Sequence, residues 1–118
     1  MGDSSQLIRF LCVCDGGNVR SQALAFVLHD RLGHEAIAIG RLRVSIDTMA
    51  TMCNWADCIV IMQPHMQESI PSQYHAKLLC CDVGEDKFGV YVHPELLAMV
   101  TTGADWILSR ITRTGDDE

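Results

Sequence analysis

The residues best equipped for chemistry lie near the start of the chain, in Cys14-Asp15-Gly16-Gly17-Asn18-Val19-Arg20-Ser21, where five residues separate a cysteine from an arginine. Such a loop suits the binding and attack of phosphate. Two adjacent glycines let the backbone curl around an oxyanion, and a loop entering a helix turns several N–H groups toward one point. Cys14, held among those donors and Arg20, is placed to ionise to a thiolate nucleophile. Arg20 offers a planar fork that matches two phosphate oxygens and follows their charge through the trigonal-bipyramidal state. The Ser21 hydroxyl can donate to the sulfur and make it a better leaving group. A buried structural cysteine at a strand end is the plainer alternative for Cys14. Gly16, Gly17, Arg20 and Ser21 in register weigh against it.

The flanking elements are the ones such a loop needs. Leu7 to Val13 is a short apolar run of the kind that forms a buried strand. Beyond the loop, Ala23, Leu24, Phe26, Val27, Leu28 and Leu32 keep a helical spacing that stops at Gly33. Glu35 to Gly40 is a second strand. Arg41 and Arg43 follow it, placed either to flank the mouth of a site or simply to be solvated. Asp47 or Thr48 caps a helix whose Met49, Met52, Cys53 and Ala56 face a core. Cys58 to Met62 forms a third strand, apolar enough for a parallel sheet. Gln63-Pro64-His65 breaks it, with His65 either turned to the loop or at the surface. A short helix over Met66 to Ile70, a loop over Pro71 to His75, and a fourth strand over Lys77 to Cys81 come next. Pro94 opens a last helix with Leu96, Leu97, Met99, Val100, Ala104, Ile107 and Leu108 on its apolar side. Thr101-Thr102-Gly103 is a weak point in its middle.

These features resemble the low-molecular-weight protein tyrosine phosphatases. Their loop also runs cysteine, five residues, arginine, then serine or threonine. Trp55 to His65 is similar to the family's "alanine, aspartate, apolar run, methionine, histidine" segment. Leu79 to Gly89 looks like its late strand and acidic loop, and His93-Pro94-Glu95-Leu96-Leu97 like the last helix of a shortened bacterial and phage branch. The likeness covers most of residues 7 to 109. It implies an α/β three-layer open sandwich with four parallel strands in the order 2-1-3-4 and helices on both faces. The phosphate-binding residues it implies are Asp15, Gly16, Gly17, Asn18, Val19, Arg20 and Ser21. Departures exist: Gly17 is third and Asn18 fourth after the nucleophile, Val19 replaces a frequent cysteine, Gln22 stands for a proline, and Asp-Pro-Tyr-Tyr is missing.

The implied reaction passes through a phosphocysteine and needs one carboxyl as proton donor and later as base. Cys14 and Arg20 would be catalytic, and Asp86 is the choice of acid, with Asp82, Glu85 and His93 as the other candidates. Phe88 or Tyr91 could wall the substrate ring or pack in the core. The expected substrate is a phosphotyrosine-containing protein or a small phosphate monoester, with phosphate or another oxyanion in the loop. Two rival functions are an arsenate reductase relaying through Cys80-Cys81, and a module that binds phosphate or phosphoproteins without turnover. Adjacent cysteines form strained disulfides, which counts against the relay.

Bulk properties agree. A chain of 118 residues, 48% apolar, makes one domain, with 1–6 and 110–118 as tails. A formal charge of −6 with few, scattered Lys and Arg gives no sign of a nucleic-acid surface. No apolar run reaches membrane-spanning length and no secretion signal opens the chain, so the expectation is a cytoplasmic protein, monomer or weak dimer, away from membranes. Six cysteines then read as reduced thiols rather than a disulfide frame. Cys12-x-Cys14 lacks a second pair at zinc-binding spacing, so neither a metal nor another cofactor is expected.

Overall fold

The computed structural model describes the backbone of residues 7–16 and 19–116 and the side chains through residue 111. Four strands, β1 (Arg9–Cys14), β2 (Glu35–Gly40), β3 (Cys58–Ile61) and β4 (Leu78–Cys80), form one sheet in the order β2-β1-β3-β4. Every pairing is parallel, with Phe10 opposite both Ala36 and Cys58, and Ile59 opposite Leu78. This is the expected architecture. β1 is flanked on both sides and Phe10 to Cys14 are all buried, which is why its sequence is a continuous apolar run rather than an alternating one.

Helix α1 (Arg20–Phe26) follows β1 and passes into one widened turn at Val27–Arg31, where the Leu32 amide reaches back five residues to the Val27 carbonyl. Gly33, at φ +80°, ends it, as its place in the sequence predicts. Right-handed crossovers put α1 on one face of the sheet and α2 (Ile46–Trp55) on the other, because the chain steps outward from β1 to β2 and then back past β1 to β3. Helix α3 (Pro94–Asp116) packs against α1. Its buried stripe, Leu96, Val100, Ala104 and Ile107, keeps the helical period.

Several local expectations are corrected. The α2 cap is Ser45, whose Oγ accepts the Thr48 amide at 3.0 Å; Asp47 instead sits in the first turn. Two short 3-10 helices, Pro64–Ser69 and Ser72–Lys77, replace the helix over 66–70 and the loop over 71–75. Pro64 fixes the first of them at its N-terminus. α3 runs unbroken through Gly103 and on past residue 110, where the apolar pattern stops. Gly103 has a packing reason: a Cβ there would lie 2.3 Å from the Cys81 Sγ, so the glycine admits the sulfur against the helix. Met49, Cys53 and Ala56 are buried as their spacing predicts.

Candidate active site

The C-terminal ends of β1 and β3 lie side by side, and the loops leaving them meet there, as open parallel sheets dictate. Cys14 is the last residue of β1 and is only 2% exposed. Its Sγ lies 3.1 Å from the Ser21 Oγ, and Ser21 is fully buried in the first turn of α1. The sequence places these two groups together, and so does the structure.

The start of the loop is pinned by the strand beside it. The Arg41 amide donates to the Cys14 carbonyl at 2.8 Å, and the Leu42 amide to that of Asp15 at 3.1 Å. The contact is so close that a Cβ on Gly40 would fall 2.4 Å from the Gly16 carbonyl carbon and 2.7 Å from the Asp15 oxygen. Gly17 and Asn18, the middle of the predicted phosphate loop, lie outside the described residues. Val19 precedes α1 without a side-chain cap, and its carbonyl accepts the Ala23 amide at 2.9 Å.

Arg20 is 1% exposed, although it carries a full positive charge. One terminal nitrogen donates to the Gln63 Oε1 at 2.5 Å and to the Gly84 carbonyl at 2.8 Å, while the other lies 3.5 Å from the Asp15 carboxylate. Its Nε is buried and has no partner among the described residues. A donor on a buried charged group left without an acceptor is costly, so the site suits an oxyanion acceptor that the described residues do not supply.

Asp15 is shared. Its Oδ1 accepts from the Arg41 Nε at 2.7 Å and lies 4.0 Å from the His65 Nε2. Burial pushes the Asp15 carboxyl up, but the Arg41 hydrogen bond and charge, with Arg20 and His65, outweigh it and hold the group below the usual carboxylate range. Arg41 also donates to the Glu68 carboxylate and the Ser69 hydroxyl, each at 3.0 Å. Of the two arginines after β2, Arg41 is therefore built into the loop, whereas Arg43 is exposed.

The acid candidates lie between β4 and α3. The Asp82 carboxylate accepts the Gly84 amide at 3.0 Å, which folds the chain so that the Gly84 carbonyl meets Arg20. Gly84 and Gly89, at φ +80° and +81°, bracket the exposed Glu85 and Asp86. His93 packs edge-on against the buried Phe88, with ring centres 5.3 Å apart, and its Nδ1 accepts the Glu95 amide. Phe88 is thus a core residue, and Tyr91 packs near Phe26.

Two participants were not singled out as site residues from the sequence, Gln63 and the Gly84 carbonyl. Gln63 has a signal: only Met62 separates it from the end of β3, at the same end of the sheet as Cys14. Beyond the site, burial pushes the thiols of Cys12, Cys53, Cys58, Cys80 and Cys81 up, Cys58 to about 12 and Cys81 to about 11. Among the described residues no three His, Cys, Asp or Glu side chains converge as metal ligands, and no helix is long and apolar enough to cross a membrane.

No protein-family model matches the sequence and no curated protein does. Solved structures do. Vibrio vulnificus Wzb, in complex with benzylphosphonate, matches with a TM-score of 0.67 over 88% of this chain and 99% of its own, at 16% identity. The fold is that of the low-molecular-weight phosphatases. YwlE arginine phosphatase from Geobacillus stearothermophilus matches at 0.65 over 90% of this chain and 96% of its own, with 17% identity. Erwinia amylovora tyrosine phosphatase AmsI matches at 0.63 over 85% and 93%, with 13% identity. At such identities the likeness speaks to the low-molecular-weight phosphatase fold, and the chemistry has to be argued from this chain's own residues.

Proposed function

We propose that the protein is a cysteine-dependent phosphatase that hydrolyses phosphate monoesters, phosphotyrosine in a protein or a small aryl phosphate, through a phosphocysteine. One observation carries this reading: a buried arginine, its Nε without a partner among the described residues, stands one residue before a serine whose hydroxyl touches the sulfur of Cys14. In the first step the Cys14 thiolate attacks phosphorus, the bond to the ester oxygen breaks, and Asp86 supplies the proton that the leaving group takes. Arg20 and the loop amides from Asp15 to Ser21 hold the equatorial oxygens. In the second step Asp86 accepts a proton from water as it attacks phosphorus, the S–P bond breaks, and Ser21 donates a hydrogen bond to the departing sulfur. The products are inorganic phosphate and the regenerated thiolate. No metal takes part, and a reducing cytoplasm suits the thiol.

The neighbours support phosphate chemistry on this fold, one described with a phosphonate and two as a tyrosine and an arginine phosphatase. The relay reading has little behind it, since the Cys81 thiol is buried against Gly103 and pushed up to about 11. The deciding experiment is hydrolysis of p-nitrophenyl phosphate by the reduced protein without metal, beside Cys14→Ser. Turnover that Cys14→Ser abolishes supports the enzyme. Saturable phosphate binding by the wild type with no turnover would replace it with a binding module. Phosphotyrosine and phosphoarginine peptides, compared at equal concentration, then assign the substrate class.

A further inference from the structure

The loop that is to hold a phosphate dianion carries an acid immediately after its nucleophile. A carboxylate there repels the dianion and is itself a good ligand for the same guanidinium. Asp15 stands 3.5 Å from the Arg20 terminal nitrogen, longer than a charge-assisted hydrogen bond of about 2.8 Å. Its closer partner is Arg41, at 2.7 Å.

We propose that Arg41 is a positioning residue: it holds the Asp15 carboxylate aside and so keeps the Arg20 fork open to phosphate. The inference rests on the phosphate-binding reading above. Its geometry is independent of that reading. The Arg41 backbone is tied to the Cys14 carbonyl, so the residue cannot drift from the loop. Its side chain, 13% exposed, is anchored at the far end by Glu68 and Ser69. The other side chain facing Asp15, the half-exposed His65 imidazole, is more distant, at 4.0 Å. Once Arg41 is removed, Arg20 is the one guanidinium among the described residues left beside Asp15, and a small side-chain rotation closes that pair. Phosphate would then have to displace an internal anion before it could bind. Arg41 thus acts through Asp15, its partner at 2.7 Å.

The same arrangement explains why Asp15 is tolerated in the loop at all. Paired with Arg41, it fastens the strand β2 side of the site to the nucleophile. Unpaired, it would act as an inhibitor built into the chain.

The test is calorimetric titration of inorganic phosphate into the wild type, Arg41→Met, Asp15→Asn and the double variant. Arg41→Met is expected to weaken binding by about tenfold to a hundredfold, the worth of one charge-assisted contact. Asp15→Asn added to it is expected to restore affinity to within about threefold of wild type. A merely structural role for Arg41 would not be rescued by removing its partner. Undiminished binding by Arg41→Met, or a loss that Asp15→Asn does not restore, overturns the inference and leaves the phosphate reading standing. A wild type that binds no phosphate overturns both. Should Arg41→Met not fold, Glu68→Gln loosens the same guanidinium from outside. It is expected to weaken phosphate about twofold to fivefold, the scale of an exposed ion pair, and to do so only while Asp15 is present. An effect that persists in Asp15→Asn overturns the inference.

Discussion

Gly40 and Gly16 lie in backbone contact, so close that no side chain fits at residue 40: a Cβ would meet the Gly16 carbonyl carbon at 2.4 Å. Both atoms there are main chain, which cannot rotate aside. Gly40→Ala must therefore push the start of the phosphate loop away from β2. The expected result is a loss of phosphate binding larger than the loss of stability, about 1 to 3 kcal/mol for an overpacked site. Titration of phosphate and a denaturant melt on the same variant check it, and an alanine that binds phosphate normally contradicts it.

Ser21 is expected to matter in the second half of the reaction. Its hydroxyl reaches the sulfur, at 3.1 Å, rather than the leaving group of the substrate. Ser21→Ala should leave the first release of p-nitrophenolate nearly as fast as in the wild type and slow steady turnover by about tenfold to a hundredfold, the loss of a hydrogen bond to a charged sulfur. Stopped-flow absorbance would then show a burst of about one equivalent. Equal slowing of both phases would place the hydroxyl elsewhere.

Asp86 is tested through the basicity of the leaving group. Phenolate needs a proton as it departs and p-nitrophenolate hardly does. Asp86→Asn should lower the rate on phenyl phosphate by about a hundredfold or more and on p-nitrophenyl phosphate by distinctly less. Equal loss on both substrates would move the acid to Asp82, Glu85 or His93.

Asp57 links sheet and stability. It accepts the Arg9 amide at 2.9 Å and the Arg9 guanidinium at 3.2 Å. Burial raises its carboxyl, but these two hydrogen bonds and the Arg9 charge hold it below its ordinary value. A carboxyl depressed in the folded state contributes stability above its unfolded pKa, about 3.9, and that contribution is lost as pH falls through the lower folded value. Asp57→Asn should thus unfold more easily at neutral pH, by about 1 kcal/mol for the exposed pair and its backbone hydrogen bond. The gap to wild type should narrow as pH falls through the lowered folded pKa of Asp57. A constant gap across the melts would mean that the charge is irrelevant.

Gly103 and Cys81 form a second coupled pair, at the far side of β4. Alanine is the better helix former by about 1 kcal/mol, yet its Cβ would strike the buried Cys81 Sγ at 2.3 Å. Gly103→Ala alone should destabilise, and adding Cys81→Ala should recover most of the loss. Additive effects in thermal melts would refute the contact.

The sequence made the framework legible because apolar runs and turn residues act locally. Leu11-Cys12-Val13 and Ile59-Val60-Ile61 read as strands buried on both faces, and a cysteine six residues before Arg20 puts the proposed nucleophile at the strand end. What pattern alone could not give was contact between segments distant in the chain. Arg20 with Gln63, Arg41 with Glu68, and Gly84 with Arg20 are separated by 43, 27 and 64 residues. Nothing in the type of a glutamine or a backbone carbonyl marks it as a partner for a buried guanidinium. Sequence alone does not single out Ser45 as the α2 cap for a smaller reason, since Asp47 and Thr48 are also capping types nearby.

β1 lies in the middle of the sheet, paired along its length with β2 and β3, and it carries Cys14 at its end. Amides of such a strand exchange with solvent only when the whole molecule opens. The pedestal under the proposed nucleophile therefore has no private melting transition. Deuterium uptake at Leu11, Cys12 and Val13 should track global unfolding, and heating should abolish catalysis and structure at one temperature instead of two.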